Sequence, residues 1–295
     1  MVEAVTWTLD MRIASPGELI DRHFRDDCRF WHDVYTQRTL IGEIYRARRA
    51  EVLRLIEELD FRPGSRAIDV GCGAGSITAA LAEQGIQVDA VDSVPEMQAL
   101  TAATVHDHGV QGLVEVHSGD VHALPFPDAT FDCALAVGVM EWMSSFTVPL
   151  AELYRVLHPG GWLIANIDNA YALHCLVDPR MCPPASILKR HACRWAEAVG
   201  LMKPVARSSR CSPRTFDRAL CDAGFVKRRS RTTGFGPFTL LGSPVLPDRT
   251  AVLLHTALQR LADRGTPLIR HGGDAYLVVA QKTPAQSAEC RIAQP

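Results

Sequence analysis

The chain has 295 residues, 47% hydrophobic and 22% charged, with a formal net charge of −2. That is enough apolar material for a sizeable core, and there is no basic surplus of the kind that meets phosphates, so disorder and a nucleic-acid partner are both disfavoured and a small-molecule substrate fits better. No apolar run reaches about 18 residues, and Met1 to Trp7 holds no basic stretch followed by an apolar core, so no membrane partner is expected and the expected location is cytoplasmic.

Residues 1–60 read as an N-terminal helical cap. Pro16 to Phe24 suits a short helix. From Ile41 to Leu59 the apolar positions Ile41, Ile44, Tyr45, Val52, Leu55, Ile56 and Leu59 recur at helical spacing until Pro63-Gly64 stops the run. Between them stands Phe30-Trp31-His32-Asp33-Val34-Tyr35, whose aromatics either close over a ligand or pack on the sheet. Trp31 and Tyr35 are therefore substrate-binding candidates.

Over residues 61–167 short apolar strands alternate with helices: strand 66–70, helix 75–84, strand 87–91, a helix from Pro95 to about His106, strands 113–117 and 132–138, helix 148–157 and strand 161–167. Such alternation means parallel pairing, both sheet faces covered, and ligand at the carboxyl ends of the strands. Ser212-Pro213 opens and Gly224 closes a further helix, which feeds a strand at Val226 to Thr232, and Tyr276 to Ala280 is the last strand. On the former strand Lys227, Arg229 and Arg231 share one face with Arg228 on the other, which reads as a solvated strand end.

Two segments exceed what a sheet needs. Residues 168–211 and 234–274, the latter with a helix at about 247–263, read as substrate lids; the alternatives are an extended core or the surface of a homodimer. Their aromatics Tyr171, Phe235 and Phe238 are substrate-binding candidates. Residues 284–295 read as a frayed tail, and 1–295 as one domain. The nine cysteines are scattered, with no Cys-x-x-Cys pair and no histidine partner at zinc spacing, so reduced thiols and no metal are expected.

The chemistry concentrates at Ala67-Ile68-Asp69-Val70-Gly71-Cys72-Gly73-Ala74-Gly75, followed by Val88 to Val91 ending at Asp92. Glycines between a strand and a helix let backbone pass close to a ligand. The glycines fall at 71, 73 and 75, and Ser76 takes the slot of the third glycine of a dinucleotide fingerprint, which disfavours a nicotinamide enzyme. Three more stretches follow in order: Ser118-Gly119-Asp120-Val121, Phe126-Pro127-Asp128-Ala129-Thr130-Phe131-Asp132, and Glu152 through His158-Pro159-Gly160-Gly161 to Ile164. Together, over residues 65–167, they resemble the class I S-adenosylmethionine-dependent methyltransferases, and within them the ubiquinone-type and natural-product tailoring enzymes.

The resemblance implies a Rossmann-like α/β fold with a seven-stranded mixed sheet, its last strand antiparallel, and insertions after strands five and six. It implies S-adenosyl-L-methionine as cofactor, with Asp69, Gly71, Gly73 and Gly75 at its methionine part, Asp92 on both ribose hydroxyls, Asp120 and Val121 at the adenine, and Gly138 to Trp142 beside the sulfonium. Cys72, Ser93 and Met97 complete that set. Methyl transfer is an in-line displacement that needs positioning more than covalent help, so a general base is optional; the candidates are Asp168, His174 and His191 after the fifth strand, and His32. Asp168-Asn169 with Glu141 also resembles the oxygen-ligand pattern of magnesium-dependent catechol-type methyltransferases, although Gly138-Val139-Met140-Glu141-Trp142 is not that group's usual strand-four ending. No Asn-Pro-Pro-Tyr or Asp-Pro-Pro-Tyr follows strand four, which favours O- or C-methylation of a small, largely apolar metabolite. Small-molecule N-methylation and a non-catalytic cofactor-binding protein remain as alternatives.

Overall fold

A computed structural model describes residues 15–283. Met1 to Trp7 and the expected tail at 284–295 lie outside the described residues. The chain opens with three helices: α1 (Pro16–Asp26), α2 (Cys28–Asp33) and α3 (Leu40–Glu58). Helix α1 begins in a capping box, in which the Ser15 hydroxyl accepts the Glu18 N–H and the Glu18 carboxylate accepts the Ser15 N–H.

The alternating core follows: β1 (Arg66–Val70), α4 (Ser76–Glu83), β2 (Gln87–Asp92), α5 (Pro95–Asp107), β3 (Val114–Ser118), β4 (Phe131–Ala136), α6 (Thr147–Val156) and β5 (Leu157–Asn169). After β5 come α7 (Leu173–Val177), α8 (Pro183–Ala198), α9 (Pro213–Asp222), β6 (Phe225–Thr233), α10 (Asp248–Asp263) and β7 (Ala275–Lys282). The principal sheet runs β3-β2-β1-β4-β5-β7-β6. Strands β1 to β5 pair in parallel, and β7 is antiparallel to both β5 and β6. This is the mixed sheet expected, enlarged by a two-residue strand, Arg210–Cys211, laid parallel to Asp168 and Asn169.

Successive strand residues feed opposite faces, as a period of two requires. Ile68, Ile167, Tyr276 and Val278 pack with Leu150 and Leu153 of α6 and Phe216 and Leu220 of α9. Ala67, Ile164, Leu277 and Val279 pack on the other face with Val52, Leu55 and Ile56 of α3 and Leu81 of α4. Both faces are therefore dry, and the carboxyl edge is left for a ligand.

Two expectations change. Strand β5 begins at Leu157, directly from α6, because His158-Pro159-Gly160-Gly161 continues the chain as strand with Gly160 at φ +84°. Lys227 also does not share a face with Arg229 and Arg231. A bulge opposite Val279/Ala280 pairs those residues with Arg229 and Lys227 and skips Arg228, which flips the alternation. Lys227 consequently meets Asp217 of α9, whereas Arg229 and Arg231 meet Glu58 and Glu51 of α3 on the opposite face. These cations reach helices through ion pairs, and Lys227, Arg228 and Arg229 are exposed, as a solvated strand end requires.

Candidate active site

One cavity of about 470 Å³ lies along the carboxyl ends of β1 to β5. Its floor at one end is the turn after β1. Gly71, Gly73 and Gly75 have φ of +68°, +57° and +77°, a left-handed region that costs residues with a Cβ. They serve different ends. A Cβ on Gly71 would stand 2.4 Å from Val139, and one on Gly75 would stand 2.9 Å from the Thr101 backbone, whereas one on Gly73 would meet nothing nearer than the Gly71 carbonyl at 4.0 Å. Gly71 and Gly75 are thus fixed by packing, and Gly73 presents bare backbone to the cavity.

Asp92, at the end of β2, holds this turn from the side. Its Oδ2 accepts the Gly73 N–H at 3.0 Å and its Oδ1 accepts the Val94 N–H at 3.0 Å, leaving lone pairs on both oxygens for further donors. Burial raises its carboxyl above the ordinary range against those two hydrogen bonds. Asp69 is buried beneath the turn. Its Oδ2 accepts the Thr78 hydroxyl at 2.6 Å, and burial pushes its carboxyl up to about 6. Cys72, Ser93, Met97, Asp120, Val121, Gly138 and Trp142 also line the cavity. This end thus offers two carboxylates and one bare-backbone cradle to a ligand rich in donors.

The roof at this end is α1. Ser93 donates to Asp21 at 2.7 Å, and the Trp142 ring meets His23 and Phe24 at centroid distances of 5.0 Å. Farther along, Phe24, Trp31, Tyr35 and Tyr45 line the cavity, with Ile41 and Ile44 completing an apolar wall. Trp31 and Tyr35 of the sequence-based substrate set therefore reach the cavity. The others do not line it. Tyr171 is 55% exposed, Phe235 is 1% exposed with its N–H donated to His255 Nδ1, and Phe238 sits half-buried outside it. From that loop it is Pro237 that reaches the cavity.

Among the candidate bases, Asp168 lines the cavity, while His174, His191 and His32 do not. His174 is buried behind the wall with Nε2 3.5 Å from Asp274, and burial drops its ring to about 4, so it stays neutral. His191 is exposed on α8, and the His32 side chain is 54% exposed. Asn169 cannot serve as an oxygen ligand beside Asp168. Its amide donates to the His271 and Gly273 carbonyls and its oxygen accepts the Tyr171 N–H, so it anchors loops instead.

What the sequence did not show is the charged cluster around Asp168. Arg48 from α3, Glu141 from the short turn of helix after β4, Arg210, and Asp274 just before β7 converge there. Arg210 donates to Asp274 at 2.8 Å, while Arg48 Nη1 stands 3.7 Å from Glu141 Oε1. Burial, with a neighbouring carboxylate, lifts both the Glu141 and Asp168 carboxyls well above the ordinary range. Arg48 was discoverable: it continues the apolar stripe Ile41, Ile44, Tyr45 at the next helical turn, where a cation is out of place.

Residues 68–165 match the family model described as a methyltransferase domain. A malonyl-(acyl-carrier protein) O-methyltransferase of Serratia marcescens is 34% identical over 125 residues, 42% of this chain and 47% of that one. A demethylmenaquinone methyltransferase of Symbiobacterium thermophilum is 35% identical over 113 residues, 37% of this chain and 45% of that one. The match thus spans about half the length of these curated relatives. Among solved structures, the (4+2)-cyclase SpnF superposes with a TM-score of 0.52 at 20% identity, covering 79% of this chain and 80% of that one. That likeness concerns the fold.

Proposed function

We propose that this chain, which carries a methyltransferase domain at residues 68–165 on the class I S-adenosylmethionine-dependent methyltransferase fold, methylates a small, largely apolar metabolite on oxygen or carbon. Natural-product or quinone-type biosynthesis is the context that its resemblances favour. The observation that carries the reading is the continuity of the cavity: the Asp69–Gly73–Asp92 end, suited to the methyl donor, opens without a wall onto the aromatic chamber of Phe24, Trp31, Tyr35 and Tyr45.

S-adenosylmethionine supplies an electrophilic methyl group when bound. Asp69 would hold its ammonium, the Gly73 backbone would pass beside its amino-acid part, Asp92 would accept its ribose hydroxyls, and Asp120 with Val121 would border its adenine. The remaining work belongs to positioning: α1 and Trp142 exclude water, and the aromatic walls hold the acceptor in near-attack geometry. Asp168 would face the acceptor as a base or a hydrogen-bond acceptor, whereas the placements of His174 and His191 give neither a part. The chamber's size favours a discrete metabolite over a macromolecule. Aromatic and enolic acceptors incubated with methyl-labelled S-adenosylmethionine test this, read by label transfer to product. Calorimetric binding of S-adenosylhomocysteine without transfer to any acceptor would favour the alternative of a non-catalytic binding protein, and the SpnF likeness shows that fold alone does not settle reaction type.

A further inference from the structure

Arg48 is in an unusual state for a guanidinium. Its side chain is 13% exposed, and it lines the cavity. It lies 4.5 Å over the Tyr45 ring and 3.7 Å from Glu141 Oε1, which fixes its position but exceeds hydrogen-bond distance. Among the described residues it donates no hydrogen bond, although it carries five N–H donors. The other guanidinium of the cavity contrasts with it, since Arg210 donates to both Asp274 and the Asn169 carbonyl. The Arg48 guanidinium faces the cavity, so an acceptor bound there would pair donors that no protein group among the described residues takes up.

The surroundings say what that acceptor is. Arg48 Nη2 stands 3.7 Å from the position a Cβ on Gly138 would take, so an oxygen held there lies at the end of β4. Glu141 beside it is buried, and its Oε2 has no partner among the described residues. The walls, Phe24, Trp31, Tyr35 and Tyr45, are rings set edge-on and tilted to one another, which suits a flat unsaturated body.

We propose that Arg48 anchors the acceptor's reacting oxygen, and that the acceptor is a phenol or enol whose hydroxyl proton passes to Glu141 as Arg48 takes up the resulting oxyanion. The inference rests on the methyltransferase reading above. In the transfer, the acceptor oxygen bonds to the methyl carbon, the electron pair of the broken carbon–sulfur bond stays on the donor's sulfur, and the hydroxyl proton ends on the Glu141 carboxylate. Charge selects this class over its rivals. Asp168 and Asp274 already match Arg48 and Arg210 in charge before Glu141 ionises, so a carboxylate that arrives ionised adds an uncompensated anion. An ammonium would have to sit against the Arg48 guanidinium. A phenol or enol enters neutral and leaves the total charge of the site unchanged while its proton moves.

The test uses the full chain saturated with S-adenosylhomocysteine near neutral pH and 7-hydroxycoumarin, a weaker phenol, as a probe whose absorbance separates phenol from phenolate. Wild type should bind the probe as its anion at a pH where the free probe is neutral. Arg48→Leu should weaken probe binding at least tenfold and return any bound probe to the neutral spectrum, and Arg48→Lys should restore part of both. Glu141→Gln should bind the probe as the neutral phenol. All three variants should keep wild-type S-adenosylhomocysteine affinity, which also reports that they are folded. A neutral spectrum on wild type needs no variant and would overturn the proposal, as would probe binding indifferent to Arg48 or tighter binding of tryptamine than of the probe. If wild type fails to bind S-adenosylhomocysteine, the methyltransferase reading falls and the inference with it; if it binds but the probe ignores Arg48, only the inference falls.

Discussion

Asp92 Oδ2 accepts the Gly73 N–H at 3.0 Å, so the last residue of β2 grips the turn that follows β1. The contact makes Asp92 both a clamp on that turn and, in the proposed function, a ribose ligand. Asp92→Ala should weaken S-adenosylhomocysteine binding by about 1.5–3 kcal/mol, the range for hydrogen bonds to a charged group. Calorimetric affinity within a factor of two of wild type would remove Asp92 from the site.

Gly73→Val tests the bare-backbone surface. A Cβ at Gly73 meets nothing nearer than the Gly71 carbonyl at 4.0 Å, so the main folding cost is the positive φ, about 1–2 kcal/mol. Circular dichroism should remain that of wild type while cofactor affinity is lost. A folded variant with normal affinity would show that the turn only turns the chain.

Asp69 gives a pH dependence with two opposite signs. Its carboxyl is raised from the ordinary 3.8 to about 6 by burial, so the native state holds a proton that the unfolded chain releases between those values. The associated stability is present at low pH and is lost as pH rises through that window, by about 1–3 kcal/mol. Asp69→Asn should therefore raise the thermal midpoint at pH 7. Ligand affinity runs the other way, because an ammonium needs ionised Asp69: S-adenosylhomocysteine binding should be flat above about pH 7 and should weaken below pH 6 by up to tenfold per unit. Affinity unchanged from pH 7 to 5 would mean that Asp69 does not hold the ligand's charge.

Three aromatic-to-alanine changes should separate three roles. Trp31→Ala should lower turnover more than cofactor affinity, since Trp31 lines the aromatic chamber. Tyr171→Ala should leave both near wild type because its ring is exposed outside the cavity. Phe235→Ala should lower stability by about 3–5 kcal/mol, as for a fully buried ring. Urea melts and steady-state kinetics on the three proteins decide the matter, and a turnover defect confined to Tyr171→Ala would reverse the assignment.

The strand and helix order was legible because each element carries its own period: the doublet alternation of Tyr276 to Ala280, the helical spacing from Ile41 to Leu59, and the glycines at 71, 73 and 75 are all local signals. The Asp69–Gly73–Asp92 end was legible for the same reason, since Asp69 and Asp92 sit on two adjacent strands joined by one helix and Gly73 lies in the turn between the first strand and that helix. The acceptor end was not. Arg48, Glu141, Asp168, Arg210 and Asp274 come from five separate stretches, and their meeting depends on sheet order and on a two-residue strand, Arg210–Cys211, too short to have a period. Phe235 looked like a wall residue because a loop aromatic carries no sign of which side it faces. The misplacement of Lys227 has a similar origin, as a single bulge leaves no mark in the residues themselves.

Helix α3 places two consecutive arginines in different jobs. Arg48 enters the acceptor chamber, and Arg49 donates through Nε and Nη2 to the carbonyl of Ser76, the first residue of α4. One rigid rod therefore forms the acceptor wall and braces the glycine turn. A rotation of α3 would displace the chamber wall and the brace on the glycine turn together, which on the proposed function would link the acceptor and donor sites mechanically. Were either ligand to order that rod for the other, linkage would make the benefit reciprocal: the factor by which the donor tightened the acceptor would be the factor by which the acceptor tightened the donor.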